Sequence, residues 1–320
     1  MIDIIIPAYN AHDTIEKSLL SILIQSEINN INVYIVNDCS KNDYSYFIKK
    51  YKNYMNIHEL KLKKNKGPGF ARNYGIKHSN GKYIFFLDSD DMIYSHFSIK
   101  LLFDTIENKN VDVVVSSFAQ EIDYNNYISI NTNNIWNHGK MYRREFLEKN
   151  SIYFNEKRTN EDLYFNYMVE LIGAKYFYID AITYIWQNND KSITRCNNNE
   201  YRYKALLDYN SSILNVVMDA ENRNIAESQI AKVLFFGIVQ MYYAYLRFIE
   251  SNEIEYAKKL LDSIKENVCK YDYYKDKIIK EDKLNILKNE LEKSFNSDLD
   301  SLVFPKVSFE EFLKKAVIYE

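Results

Sequence analysis

Lys82-Tyr83-Ile84-Phe85-Phe86-Leu87-Asp88-Ser89-Asp90-Asp91 is an apolar strand that ends abruptly in acids. A continuous apolar run of this kind fits a strand buried on both faces, as in a parallel sheet covered by helices. The flanking sequence repeats the theme. Upstream, residues 2–6, 33–36 and 57–62 read as strands. A helix opens at Asp13-x-x-Glu16, a capping-box variant, with Ile15, Leu19, Ile22 and Leu23 on one face. Residues 44–54 and 69–78 are predicted helical, the second after a glycine-rich turn. Downstream come a helix over 95–108 and a strand over 111–117. Strands separated by single helices predict an α/β fold, Rossmann-like, with a mostly parallel central sheet. Ligands of such sheets gather at the carboxyl ends of the strands.

From 118 to 190 the pattern is mixed, with helices predicted over 143–149 and 161–172 and strands over 176–179 and 183–186. After residue 199 only helical periodicity remains, over 200–221, 225–251, 255–267, 283–295 and 308–317. The expected organisation is a catalytic domain over 1–198 and an all-helical C-terminal region over 199–320.

The totals exclude several classes. With 320 residues, 47% of them hydrophobic, the chain can bury a substantial core. A net charge of -3 gives no electrostatic case for nucleic acid as a partner. Cys39, Cys196 and Cys269 are far apart and odd in number, which argues against a disulfide framework and for a reducing, cytoplasmic location. Met1-Ile2-Asp3 runs directly into a strand with no basic segment or cleavage pattern, so no signal peptide is expected. The most apolar segment, 230–249, is interrupted by Lys232, Gln240 and Arg247 and reads as a buried helix.

Four motifs sit at strand ends or in the turn that follows one. Carboxylates at Asp88 and Asp90 can converge on one hard cation, Mn²⁺ or Mg²⁺, able to neutralise a diphosphate. An isolated Asp-x-Asp also occurs in phosphatases and kinases. Pro7-Ala8-Tyr9-Asn10 offers an aromatic ring and an amide that suit a planar base. Asp38, in Asn37-Asp38-Cys39-Ser40, can accept from a base N–H or a ribose hydroxyl. Gly67-Pro68-Gly69-Phe70-Ala71-Arg72-Asn73-Tyr74-Gly75 places glycines and an arginine at a helix start, which suits a phosphate, without the ending of a Walker loop.

As an ordered set these motifs resemble the inverting family 2 glycosyltransferases of the GT-A fold. The likeness continues through Ile135-Trp136-Asn137-His138-Gly139-Lys140-Met141-Tyr142-Arg143-Arg144 and Asn160-Glu161-Asp162, and covers about residues 2–195. The resemblance implies transfer of a sugar from a UDP-sugar donor to a hydroxyl of a cell-surface glycan or glycolipid. Pro7, Tyr9, Asn10 and Asp38 would hold the nucleoside. Gly69, Arg72, Asn73, Asp88 and Ser89 would line the rest of the donor site. Asp90, with Asp88, would bind the metal. Asp91, Trp136 and Glu161 would lie toward the donor sugar and acceptor, and Asp162 would be the catalytic base. A base and a stabilised leaving group suffice for one inverting displacement. Gln187 stands where relatives carry a basic residue before Ser192-Ile193-Thr194, so Lys191 or Arg195 would assist the diphosphate. His138 reads as a structural histidine.

Two rival classes use similar parts. A sugar nucleotidyltransferase would carry a glycine-rich, lysine-containing N-terminal loop, which is missing. A non-catalytic nucleotide- or glycan-binding module would have lost its Asp-x-Asp or its base, and both are present. In the helical region Leu234, Phe235, Ile238, Val239, Tyr242, Tyr245 and Leu246 form an apolar stripe, a candidate for core or for self-association. A peripheral contact at the inner face of the membrane would follow from a glycolipid acceptor.

Overall fold

The computed structural model describes residues 1–131, 135–157, 159–189, 199–268 and 311–312. The chain divides into two compact units, Met1–Cys196 and Asn197–Glu320.

The first unit runs β1 (Ile2–Ala8), α1 (Ile15–Leu23), β2 (Ile31–Asn37), α2 (Ser45–Tyr51), β3 (Asn56–Lys61), α3 (Pro68–Lys77), β4 (Tyr83–Phe86), β5 (Met92–Ile93), α4 (Ser98–Lys109), β6 (Val113–Asp123), β7 (Asn126–Ile130), β8 (Lys140–Arg143), α5 (Arg144–Lys149), α6 (Glu161–Leu171) and β9 (Tyr176–Trp186). Its sheet has the order β3-β2-β1-β4-β8-β6-β9-β5, with β7 beside β6. The parallel expectation holds for β3, β2, β1 and β4. Beyond β4 the sheet is mixed: β8 runs antiparallel to both β4 and β6, whereas β6 and β9 are parallel.

Alternation along β1 builds the layers. Ile4 and Ile6 join a core with Ile15, Leu19 and Ile22 of α1 and with Ile99, Leu102 and Ile106 of α4. Ile5 meets α3 at Gly75, where a Cβ would come within 2.5 Å of Ile5 Cγ2, so only glycine permits this helix–sheet approach. Crossovers between the parallel strands bring the ends of β1, β2 and β4 to one edge, which positions the candidate motifs.

Three expectations need correcting. The capping box at Asp13 and Glu16 does not form: Thr14 is the N-cap and makes no side-chain cap bond. Glu16 instead accepts from Lys50 Nζ and, at 2.9 Å, from the Tyr51 hydroxyl, two partners across on α2. The strands expected at 176–179 and 183–186 are one strand, β9, interrupted in its pairing with β6 between Ser116 and Phe118. Strands β5, β7 and β8 were not expected. β8 reads Lys-Met-Tyr-Arg and hides its burial behind two charges.

The second unit contains α7 (Asn199–Asn222), α8 (Glu227–Glu250) and α9 (Ile254–Val268). The stripe on α8 is buried at Leu234, Phe235, Ile238, Val239, Tyr245 and Leu246. Gly237 lets α7 approach closely, since a Cβ there would lie 3.0 Å from Ile213 Cγ2. The helices expected over 283–295 and 308–317 fall outside the described residues, apart from helical 311–312, as do Lys191, Arg195 and Ser192-Ile193-Thr194. Among the described residues no helix is long and apolar enough to cross a membrane.

Candidate active site

At the edge where β1 and β2 end, two loops are stitched together. The Asn10 amide donates to Ser40 Oγ at 2.9 Å, and the Lys41 amide donates to Asn10 Oδ1 at 3.0 Å. Asn10 and Cys39 both adopt positive φ, 52° and 61°. Pro7 is half-buried and the Tyr9 ring is 55% exposed, so the ring is available to stack. Asp38 is buried, and its two oxygens accept from the Lys66 and Gly67 amides, each at 2.8 Å. In this structure Asp38 therefore holds the turn that precedes α3.

The glycine turn joins α3 to the start of α6. A Cβ on Gly69 would collide with the Asn155 carbonyl oxygen and crowd Glu161, so the glycine serves helix approach. Asn73 is also engaged: its Nδ2 donates to Phe154 O at 2.8 Å, and its Oδ1 accepts from Phe154 N at 2.9 Å. Gly69 and Asn73 thus fix the wall that carries Arg72.

Arg72 is buried and bridges two acids, donating to Glu161 Oε1 at 2.5 Å and to Asp88 Oδ1 at 2.6 Å. Its Nε is a buried donor with no partner. Burial alone would lower the Arg72 pKa, but the charges of Asp88, Glu161 and Asp162 reverse this and hold it above its ordinary value. Burial also pushes Asp88 upward, but Arg72 outweighs it and leaves Asp88 below the ordinary carboxylate range. Glu161 is raised by burial, with Arg72 opposing. Asp162, the next residue, forms no ion pair with Arg72; its Oδ1 accepts from Leu163 N at 2.9 Å. Burial, then the Glu161 charge, push Asp162 up to about 7. A carboxylate poised there suits general-base work near neutral pH.

A second cluster lies at the end of β4. One donor atom each from Asp88, Asp91 and His138 lies within 4.8 Å of the others. His138 Nε2 lies 4.0 Å from Asp88 Oδ2 and 4.0 Å from Asp91 Oδ2, within the ~4.2 Å that separates opposite ligands of a cation of Mg²⁺ or Mn²⁺ size bound at about 2.1 Å. Two carboxylates and an imidazole suit Mn²⁺ better than all-oxygen Mg²⁺. Asp90, expected as a ligand with Asp88, instead accepts from Asn189 Nδ2 at 2.9 Å and is not in this group. Asp91 is buried and accepts from the Tyr184 hydroxyl at 2.6 Å and from Gln187 N at 2.9 Å. Burial and the neighbouring Asp90 and Asp88 charges raise its pKa well above the usual range. Burial lowers His138 to about 4, so its imidazole is neutral and able to ligate at neutral pH. Ser89 lies in the same turn, half-buried. Trp136, 39% exposed, joins Phe118, Trp186 and His138 in an aromatic group, with the two indoles 6.1 Å apart. Sequence reasoning took His138 as structural and missed Trp186. The adjoining resemblance through 135–144 was the available signal for His138.

Behind the base candidate lies a buried polar hub. Asn166, on α6, accepts from Lys140 Nζ at 2.9 Å and from the Tyr142 hydroxyl at 2.8 Å. Burial pushes Lys140 down to about 7.

Comparison with known proteins gives a family match and a shared fold. The family described as Glycosyl transferase family 2 matches residues 3–158. A glycosyltransferase of Rickettsia bellii is 39% identical over 132 residues, 41% of this chain and 19% of that protein. The poly(ribitol-phosphate) beta-N-acetylglucosaminyltransferase TarS of Staphylococcus aureus is 30% identical over 181 residues, 51% of this chain and 31% of TarS. The crystal structure of TarS 1-349 in complex with UDP-GlcNAc has a TM-score of 0.68 at 21% identity, covering 83% of this chain and 81% of that one. A Pyrobaculum calidifontis mannosyltransferase in complex with GDP-Man and Mn²⁺ has a TM-score of 0.54 at 13% identity, covering 93% and 88%. The chain spans less than a third of the length of these two curated relatives.

Proposed function

Residues 3–158 match glycosyl transferase family 2, and on that premise we propose that the chain is an inverting glycosyltransferase. It moves a hexose or N-acetylhexosamine from a UDP-sugar to a hydroxyl of a cell-surface glycan, with Asp162 as base. The observation that carries this reading is the division of carboxylates around Arg72. Glu161 and Asp88 are ion-paired to it, and Asp162, beside them, is not.

The acceptor O–H gives its proton to Asp162 as its oxygen forms the bond to the anomeric carbon. The bond to the diphosphate oxygen breaks with its electron pair, and UDP leaves from the opposite face. A divalent cation held by Asp88, Asp91 and His138 would neutralise that leaving group. Arg72 fixes Asp88 and keeps Glu161 from competing as base. Exposed Tyr9 and half-buried Pro7 supply the surface for the uracil, beside the loop that Asp38 anchors. Trp136 offers a face on which an acceptor sugar can stack. UDP is favoured as the nucleotide because TarS, among the relatives, is a structure with UDP-GlcNAc bound. The acceptor would be met in the cytoplasm or at the inner face of the membrane, consistent with the free, exposed thiol of Cys39.

The test is nucleoside-diphosphate release from a panel of nucleotide sugars, with Mn²⁺ and with chelator. Metal-dependent release from one UDP-sugar is expected. No release from any donor, together with no nucleotide binding, would overturn the reading.

A further inference from the structure

One side-chain amide joins three segments of the first unit. Asn166 is 1% exposed. Its Nδ2 lies 2.9 Å from Asp162 O, 2.8 Å from Ile135 O and 3.0 Å from Asn137 Oδ1. Its Oδ1 receives Lys140 and Tyr142 from β8, the strand paired with β4. The amide has two N–H bonds for three acceptors, so those acceptors share them. Asn166 stands one helical turn after Asp162 on α6, so the amide ties the first turn of that helix, with Asp162, to the segment carrying Trp136.

The hub is poorly designed for stability. Lys140 is 1% exposed, and among the described residues its hydrogen bond is to this neutral amide; the charges of Asp162 and Glu170 only partly offset its burial. Asn137 Nδ2 is buried with no partner. Each such group costs free energy that apolar side chains of similar volume would not. An arrangement that costs stability and ends on two parts of a site is better explained by the geometry it imposes.

We propose that Asn166 is a positioning residue that couples residues 135–137, on the acceptor side, to the base-bearing turn at Asp162. The inference rests on the glycosyltransferase reading. Contacts on the donor side, at Asp38, Gly67 and Arg72, are made without Asn166. Loosening the amide should therefore misalign acceptor and base while leaving nucleotide binding intact.

The test is Asn166→Asp in the full chain. The carboxylate keeps an acceptor for Lys140 and Tyr142 and gives Lys140 a counter-charge, so folding is expected to survive. It removes the donors to Asp162 O and Ile135 O. We expect the Kd for UDP, by calorimetry, to stay within about twofold. Sugar transfer should fall about a hundredfold, since misplacement of order 1 Å has that effect. Hydrolysis of the donor should fall far less, because a water molecule can follow a displaced base where an acceptor sugar seated on residues 135–137 cannot. Hydrogen exchange should quicken in both 135–137 and 161–163. Asn166→Ala, where water can enter the gap, carries the same expectations if the first variant does not fold. Unchanged transfer in a folded variant would overturn the inference, as would equal losses of transfer and hydrolysis with exchange altered in neither or only one segment. If the wild-type chain turns over no nucleotide sugar, the glycosyltransferase reading fails by itself. The exchange measurement would still decide whether Asn166 couples the two segments.

Discussion

Glu161 and Asp162 stand side by side at the start of α6, yet Arg72 is ion-paired with the first alone. Asp162→Asn is expected to lower transfer by three orders of magnitude or more, as loss of a general base does when no neighbour replaces it. Because Asp162 must be ionised to act, transfer should fall about tenfold per unit as pH drops below about 7, measured as kcat/KM. Stability runs the other way. A pKa raised above the unfolded value means that the stabilising contribution is complete at low pH and is lost as pH rises through about 7. The Tm gained by Asp162→Asn over wild type should therefore grow as pH is raised from 4 to 8. Glu161→Gln should cost about 3 kcal/mol in urea unfolding, because it leaves Arg72 buried with one counter-ion fewer. His138→Ala should raise the Mn²⁺ concentration for half-maximal turnover on the order of tenfold or more. Asp162 could be proposed as the base from sequence because Asn160-Glu161-Asp162 follows the other motifs in order. The joining of His138 to Asp88 and Asp91 was not, since it depends on β8 lying beside β4, and β8 has no strand-like sequence pattern.

At the scale of elements, apolar runs revealed β1, β2 and β4, which are buried on both faces, and alternation revealed the edge strand β3, together with the helices between them. Neither pattern could reveal strands whose burial is settled by tertiary partners. Lys140 enters the core through Asn166, and Arg143 through the Val111 carbonyl. Solvent-facing β7 has no buried side to alternate with. Contacts between elements were equally hidden. Gly69 read as a phosphate-loop glycine, but its missing Cβ is what lets α3 meet Asn155 and Glu161. Gly69→Ala is expected to destabilise by about 2 kcal/mol and to weaken UDP binding through displaced Arg72, both measurable by calorimetry.

For the whole molecule, two compact units with separate cores predict two unfolding transitions. UDP should raise the transition of Met1–Cys196 and leave that of Asn197–Glu320 in place, read in one scanning experiment with and without nucleotide. The change from alternating to purely helical periodicity near residue 199 was visible in the sequence. The use of the α8 stripe was not, because core and docking faces have the same composition; most of it is buried, and α7 and α9 pack against α8.

The clamp that Asp38 places on Lys66 and Gly67 has a consequence for recognition. A loop already held by its own carboxylate has little conformational freedom left to lose when a nucleotide arrives. Capture should then resemble entry into a rigid mould: fast, limited by encounter, and with a heat-capacity change no larger than the apolar area covered by the base requires.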